Sequence, residues 1–124
     1  MKICVSSTGK DLNASVDQRF GRCQYFLIID METMNVKTIS NQSAVSSGGA
    51  GVQAAQIVTK EEVDAVITGN IGPNAFQILK TAGIKMFTGA EGTIKNAIES
   101  YKMGSLKETG SANVESHVGI GGRR

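Results

Sequence analysis

The sequence has few of the residues that most often perform catalysis or hold metal ions. Its 124 residues include no tryptophan, one proline, one histidine and two cysteines. Cys4 and Cys23 are not spaced as the ligand pairs of a zinc site, and His117 lies in the terminal segment, away from both. The position of this histidine also argues against a Ser/His/Asp catalytic set.

Carboxylates are missing where a nuclease would need them. Two-metal nucleases hold their ions with paired carboxylates on the strands, and the first predicted strand, KICVS at 2–6, has none. We therefore expect a protein that binds or carries a ligand and is not an enzyme.

Long apolar runs and a strong net charge are lacking as well. No run approaches the roughly 20 apolar residues of a membrane span, and MKICVSS does not resemble a signal peptide. The formal charge is +2, and the basic residues are scattered. We expect a cytoplasmic protein with free thiols that binds neither membranes nor nucleic acid.

What the sequence does contain is 15 glycines and regular apolar patterns. Apolar stretches predict strands at 2–6, 25–30, 35–40, 64–69 and 84–87. Apolar residues at i, i+3, i+4 and i+7 predict helices within 51–58, 70–83 and 92–104.

This order of elements predicts an α/β fold, a single-domain mixed sheet of about five strands with two or three helices. The second and third strands form an antiparallel hairpin beside parallel strands. We place the domain at 1–104 and expect 105–124 to be a flexible tail, because its apolar content is low. Ligands of such sheets bind beyond the carboxyl ends of the parallel strands.

Two glycine-rich loops lead into predicted helices at this end of the sheet. In SSGGAG the candidates are Gly48, Gly49 and Gly51, whose N–H groups at a helix start would attract an anion. The alternative is a flexible loop closed by packing of Gly51. The spacing fits neither a phosphate loop nor a dinucleotide fingerprint.

The second such loop is GNIGPN at 69–74, where Gly72 and Asn74 are the candidate anion-binding residues. The reasoning is the same, since a helix begins at the end of a strand. We also expect one of its asparagines, Asn70 or Asn74, to cap the helix.

The stretch RFGRC at 19–23 brings two cations next to a cysteine. Arg19 and Arg22 would suit phosphate, molybdate or an anionic metal cluster, although a surface arginine pair is the plainer alternative. Phe20 fits the core or a lid, and Gly21 is expected to take a positive φ.

Cys23 is the candidate metal ligand in this stretch. If it is exposed, its pKa would be lowered by Arg22, which would make it a thiolate. Cys4, inside a strand, is expected to be a small core residue.

Four segments, RFGRCQYF, GGAGVQAAQ, VITGNIGPNAF and GTIKNAIESYKMGSL, resemble in order and spacing the dinitrogenase iron-molybdenum cofactor biosynthesis family. The resemblance covers about residues 1–105, and its most specific parts are F-G-R at 20–22 and G-P-N-A at 72–75. It implies a fold like the ribonuclease H core and a non-enzymatic role. Nitrogenase-associated members bind and carry iron-molybdenum cofactor or its iron-sulfur precursors.

The resemblance implies a transiently bound iron-sulfur or molybdenum-containing cluster as cofactor, with cluster-assembly proteins as candidate partners. Arg19 and Arg22 would offset its charge and Cys23 would be a candidate direct ligand. The alternative is a metal-free regulatory or interaction module that binds a protein partner or a small phosphorylated metabolite.

Overall fold

The computed structural model describes residues 1–45, 48–110 and 112. Five strands and three α-helices follow in the order β1 Lys2–Ser7, β2 Tyr25–Asp30, β3 Val36–Ser40, α1 Ala50–Thr59, β4 Ala65–Ile67, α2 Pro73–Thr81, β5 Lys85–Phe87 and α3 Ile94–Lys102. A 3-10 helix at Gln42–Val45, which the sequence did not predict, precedes α1.

The sheet has the order β3-β2-β1-β4-β5. The β2–β3 hairpin pairs antiparallel with β1, whereas β1, β4 and β5 run parallel. This confirms the predicted α/β fold with a mixed five-stranded sheet, while the ribonuclease H-like classification stays a prediction. Among the described residues, none of the helices has the length and apolar character to cross a bilayer.

Helices cover both faces of the sheet. α1 and α2 pack on the face that carries Cys4, Ile28 and Val66, and α3 packs on the opposite face against Ile3 and Val5. Because β1 is buried on both sides, its sequence ICVSS does not alternate in burial.

The periodicity predicts an apolar stripe of Ala75, Ile78, Leu79 and Ala82 on α2, and the observed stripe differs from it. Ala75, Phe76 and Leu79 are buried, Ile78 is half-buried, and Ala82 is exposed at the end of the helix. Phe76, which is outside the predicted stripe, is buried in the core, whereas Ala82, which is part of that stripe, is not.

The start of the predicted tail lies along β5. The N–H of Thr109 donates to the carbonyl of Met86 at 2.7 Å, and its hydroxyl accepts from the N–H of Thr88 at 3.0 Å. An edge strand offers unpaired backbone groups, which explains why this segment is held there. The rest of the tail prediction, including His117, lies outside the described residues.

Replacing Thr93 by alanine should lower the free energy of unfolding by about 1 kcal/mol. Thr93 is the N-cap of α3, and its side-chain oxygen accepts from the N–H of Asn96 at 3.1 Å. Urea unfolding followed by circular dichroism would measure the change. Thr93→Ser keeps the acceptor, so a loss equal to that of Thr93→Ala would contradict the capping role.

Candidate functional site

A cleft of about 620 Å³ opens beyond the carboxyl end of β4. Three segments form it: the turn at 19–22, called here the arginine turn, the first turn of α1, and the segment from Asn70 into α2. Its described lining comprises Arg19, Phe20, Gly21, Arg22, Gly49, Ala50, Gly51, Val52, Asn70, Gly72, Pro73, Asn74 and Ala75.

The structure brings together most of the residues that the sequence singled out. Of the ten candidates, Cys23 and Gly48 are the two outside the lining, Cys23 because it is buried and Gly48 because it is exposed beside the cleft. Ala50 and Val52 are lining residues that the sequence did not indicate, since small apolar residues carry no recognisable chemical signal.

The first turn of α1 lines the cleft. Gly49 is the N-cap, with the positive φ of 71° that favours glycine, and it provides no side-chain cap. Its carbonyl accepts from the N–H of Gln53 at 2.9 Å. The first N–H groups of a helix have no carbonyl partner within it, and the helix dipole makes this end attractive to anions.

α2 also begins at the cleft, but the predicted asparagine cap is wrong. Gly72 is the N-cap and no side-chain cap is present among the described residues. Pro73 fits the first helical position, which moves Asn74 past the capping position into the first turn. The Asn70 side chain donates instead to the carbonyl of Gln18 at 3.2 Å.

Gly21 is needed for close packing, and the predicted positive φ is wrong, because Gly21 is not among the positive-φ residues. A Cβ on Gly21 would lie 2.9 Å from the backbone nitrogen of Gly51 and 3.0 Å from its Cα. Both distances are too short for a side chain. The absence of a Cβ therefore lets the arginine turn lie directly against the start of α1.

Both arginines are exposed, and each is held by an oxygen acceptor. Nε of Arg19 lies 3.4 Å from the carboxylate Oδ1 of the buried Asp17, which also accepts from the backbone N–H of Arg19 at 2.9 Å. Nη1 of Arg22 donates to the carbonyl of Ala44 at 3.0 Å. Because both arginines line the same cleft, the two cations lie close to one binding site and not on separate parts of the surface.

Phe20 belongs to the core beneath the cleft. It is 2% exposed, and its ring centroid lies 5.3 Å from that of Phe26 in a tilted pair. Of the two roles expected for it, core or lid, the structure shows the core.

Cys23 is buried, so the exposure on which a lowered pKa depended is absent. Burial, followed by the negative charge of Asp17, raises the pKa of the Cys23 thiol to about 12. Its Sγ lies 3.4 Å from the carbonyl of Phe20, to which it donates. A thiol binds metal as the thiolate, and burial disfavours that form here. Cys4 is buried too, as predicted, and both cysteines are free.

A network around Asn41, which sequence reasoning missed, holds the arginine turn. The Asn41 amide donates to the carbonyls of Cys23 at 2.8 Å and Gly21 at 3.2 Å. Its oxygen accepts from the N–H of Ser43 at 3.1 Å, and the Ser43 hydroxyl lies 3.2 Å from the Gly21 carbonyl. An asparagine directly after a strand is a common turn signal, so its role at the cleft was not readable.

In native protein at pH 8, Cys23 should react with iodoacetamide at least about a hundredfold more slowly than in urea. With a pKa of about 12, only about one thiol in ten thousand would be ionised, and the side chain is shielded. Mass spectrometry of digested samples over time would give the rate for Cys23, with Cys4 as a second buried thiol. Equal rates with and without urea would contradict the buried, protonated state.

Comparison with known proteins places the chain among proteins of similar fold. The structure of the apo form of the orange protein from Desulfovibrio gigas is 36% identical, covers 91% of this chain and 96% of its own, and has a TM-score of 0.88. A NifB-like protein from Thermotoga is also 36% identical, over 86% and 91% of the two chains, with a TM-score of 0.76.

Sequence comparison gives the same result. An uncharacterized protein of Methanocaldococcus jannaschii is 29% identical over 99 residues, which is 77% of this chain and 84% of that protein. The model of the family described as dinitrogenase iron-molybdenum cofactor matches residues 1–104. The chain therefore belongs to the dinitrogenase iron-molybdenum cofactor family, as its motifs predicted.

Proposed function

We propose that this chain is a non-enzymatic binding and carrier protein for an iron-sulfur or iron-molybdenum type cluster, or for a precursor of one. The observation that carries the proposal is that two helix N-termini with glycine caps and two arginines line the same cleft. Each of these features favours an anion. Sulfide-rich metal clusters are anions of this kind.

The composition of the lining supports reversible binding. The described lining residues include no carboxylate, imidazole or thiol. A cluster held there would be bound by hydrogen bonds and charge, with no metal–ligand bond to break on release. A role as carrier requires such release, and the same composition offers no general base or nucleophile for catalysis.

Relatives of the chain support the binding of a ligand. The family is described by the iron-molybdenum cofactor of dinitrogenase. The orange protein structure is that of an apo form, a word that implies a form with its ligand bound. Cluster-assembly proteins as partners and a cytoplasmic location remain predictions from the sequence.

The metal-free alternative is supported by the same absence of metal-binding side chains. Backbone N–H groups and arginines bind phosphate as well as sulfide-rich clusters. In that case the cleft would hold a small phosphorylated compound. The two functions differ in whether iron, sulfide or thiomolybdate is retained.

Replacing Arg19 or Arg22 by alanine should weaken cluster retention at least about tenfold, because each loses a charge-assisted hydrogen bond. The measurement is an anaerobic titration with iron and sulfide, and separately with tetrathiomolybdate, followed by visible absorption and metal analysis. Lys95→Ala is the matched control, since it removes one exposed positive charge from α3, on the other face of the sheet.

Saturable uptake at a fixed stoichiometry in the wild type, reduced in the arginine variants and unchanged in Lys95→Ala, is the expected result. Uptake that is equal in all four proteins would overturn the proposal. A protein that retains no metal but is stabilised by a phosphorylated compound would favour the metal-free alternative.

Cys23→Ser completes the series, because it separates binding in the cleft from ligation by the candidate cysteine. The buried thiol predicts that uptake is retained in this variant. Loss of uptake in a variant that stays folded would instead make Cys23 a direct ligand.

A further inference from the structure

Asn41 is a buried polar residue whose side-chain hydrogen bonds reach Gly21 in the lining of the cleft, and Cys23 and Ser43 behind that lining. It is 5% exposed and its neighbour Ser43 is 1% exposed. The two amide hydrogens of Asn41 go to the carbonyls of Gly21 and Cys23, and its oxygen accepts from Ser43. No donor or acceptor of this amide lacks a partner.

The bonds of Asn41 flank Arg22 on both sides. Gly21 and Cys23 are its two neighbours in the chain, and the backbone N–H of Asn41 donates to the carbonyl of Gln24 at 2.9 Å. In the opposite direction, Arg22 donates to the carbonyl of Ala44, in the 3-10 helix that follows Asn41. The arginine turn therefore accepts hydrogen bonds from residues 41–45 and also donates one to them.

This arrangement fixes the backbone from which the Arg22 side chain extends. A long arginine side chain has many conformers, and holding it in one of them costs conformational entropy. Contacts that fix its backbone and its guanidinium before binding reduce the cost of binding a ligand. Asn41 contributes to this without lining the cleft.

We propose that Asn41 is a positioning residue for Arg22, and that ligand affinity depends on the hydrogen bonds of Asn41 although it does not touch the ligand. The inference rests on the proposed function for its effect on binding. Its effect on the order of Arg22 can be tested without any ligand.

A purely structural role for Asn41 is the competing explanation. In that case Asn41→Ala would reduce stability and leave the folded molecules with normal affinity. Thr93→Ala is a suitable control, since it removes one side-chain hydrogen bond from α3, on the other face of the sheet.

The first experiment uses the ligand-free protein. Nitrogen-15 relaxation of the Arg22 Nε–H group, assigned by its absence in Arg22→Ala, would report the order of the side chain. We expect it to become markedly more mobile in Asn41→Ala, to change less in Ser43→Ala, and not to change in Thr93→Ala. An unchanged Arg22 signal in folded Asn41→Ala would overturn the inference whatever ligand the protein binds.

The second experiment is a double-mutant cycle with tetrathiomolybdate, measured by equilibrium dialysis and molybdenum analysis. We expect Asn41→Ala to lower affinity about tenfold in the wild-type background and less than about threefold in the Arg22→Ala background. Thr93→Ala should change affinity less than about twofold in both.

The outcomes separate the two proposals. A tenfold effect of Asn41→Ala in both backgrounds, or none in either, would overturn positioning through Arg22. Arg22→Ala with wild-type affinity would overturn the role of Arg22 in the proposed function, while the relaxation experiment would still decide whether Asn41 orders its side chain. If Asn41→Ala does not fold, Ser43→Ala carries both tests, with smaller effects expected in the same direction.

Discussion

The close approach of the Gly21 backbone to the first turn of α1 is the contact on which the site depends. A single methyl group at this position would meet the backbone of Gly51 at about 3 Å. Without this contact the arginine turn could not lie beside the helix start, and the cations would be separated from the N–H groups. Gly51 itself lies near α2, since a Cβ on it would make an ordinary contact of 3.6 Å with the Cβ of Ala75.

The contact gathers positive charge and positive dipole ends in one place, which carries an electrostatic cost in the ligand-free protein. The structure offsets part of the cost locally. The buried carboxylate of Asp17 accepts from Arg19, and a backbone carbonyl accepts from Arg22. The same acceptors hold the side chains in place, so these bonds both position the arginines and partly offset their charge, through the Asp17 carboxylate at Arg19 and a carbonyl dipole at Arg22.

The fold was largely predictable because its signals are local. The stripe of α1, with Ala54, Ala55 and Val58 buried, follows from spacing alone. The cleft was partly predictable, since glycines before helices and paired arginines each have a known chemical meaning. The remainder depended on distant contacts. The sequence around Gly21 does not indicate that Gly51 packs against it. The sequence around Cys23 does not indicate that its thiol is enclosed by Phe20 and Asn41.

The segment beside β5 has a consequence for how copies of this chain can associate. Backbone bonds from Thr109 and Thr88 occupy one side of the sheet, so the edge there is less open to another strand. The opposite edge is β3, whose partner in the described sheet is β2. Pairing through β3 would use the more open edge of each copy, and further strand addition would have to use the edge that the segment beside β5 partly covers. A few residues at one edge therefore favour the pairing of two copies over open-ended strand addition.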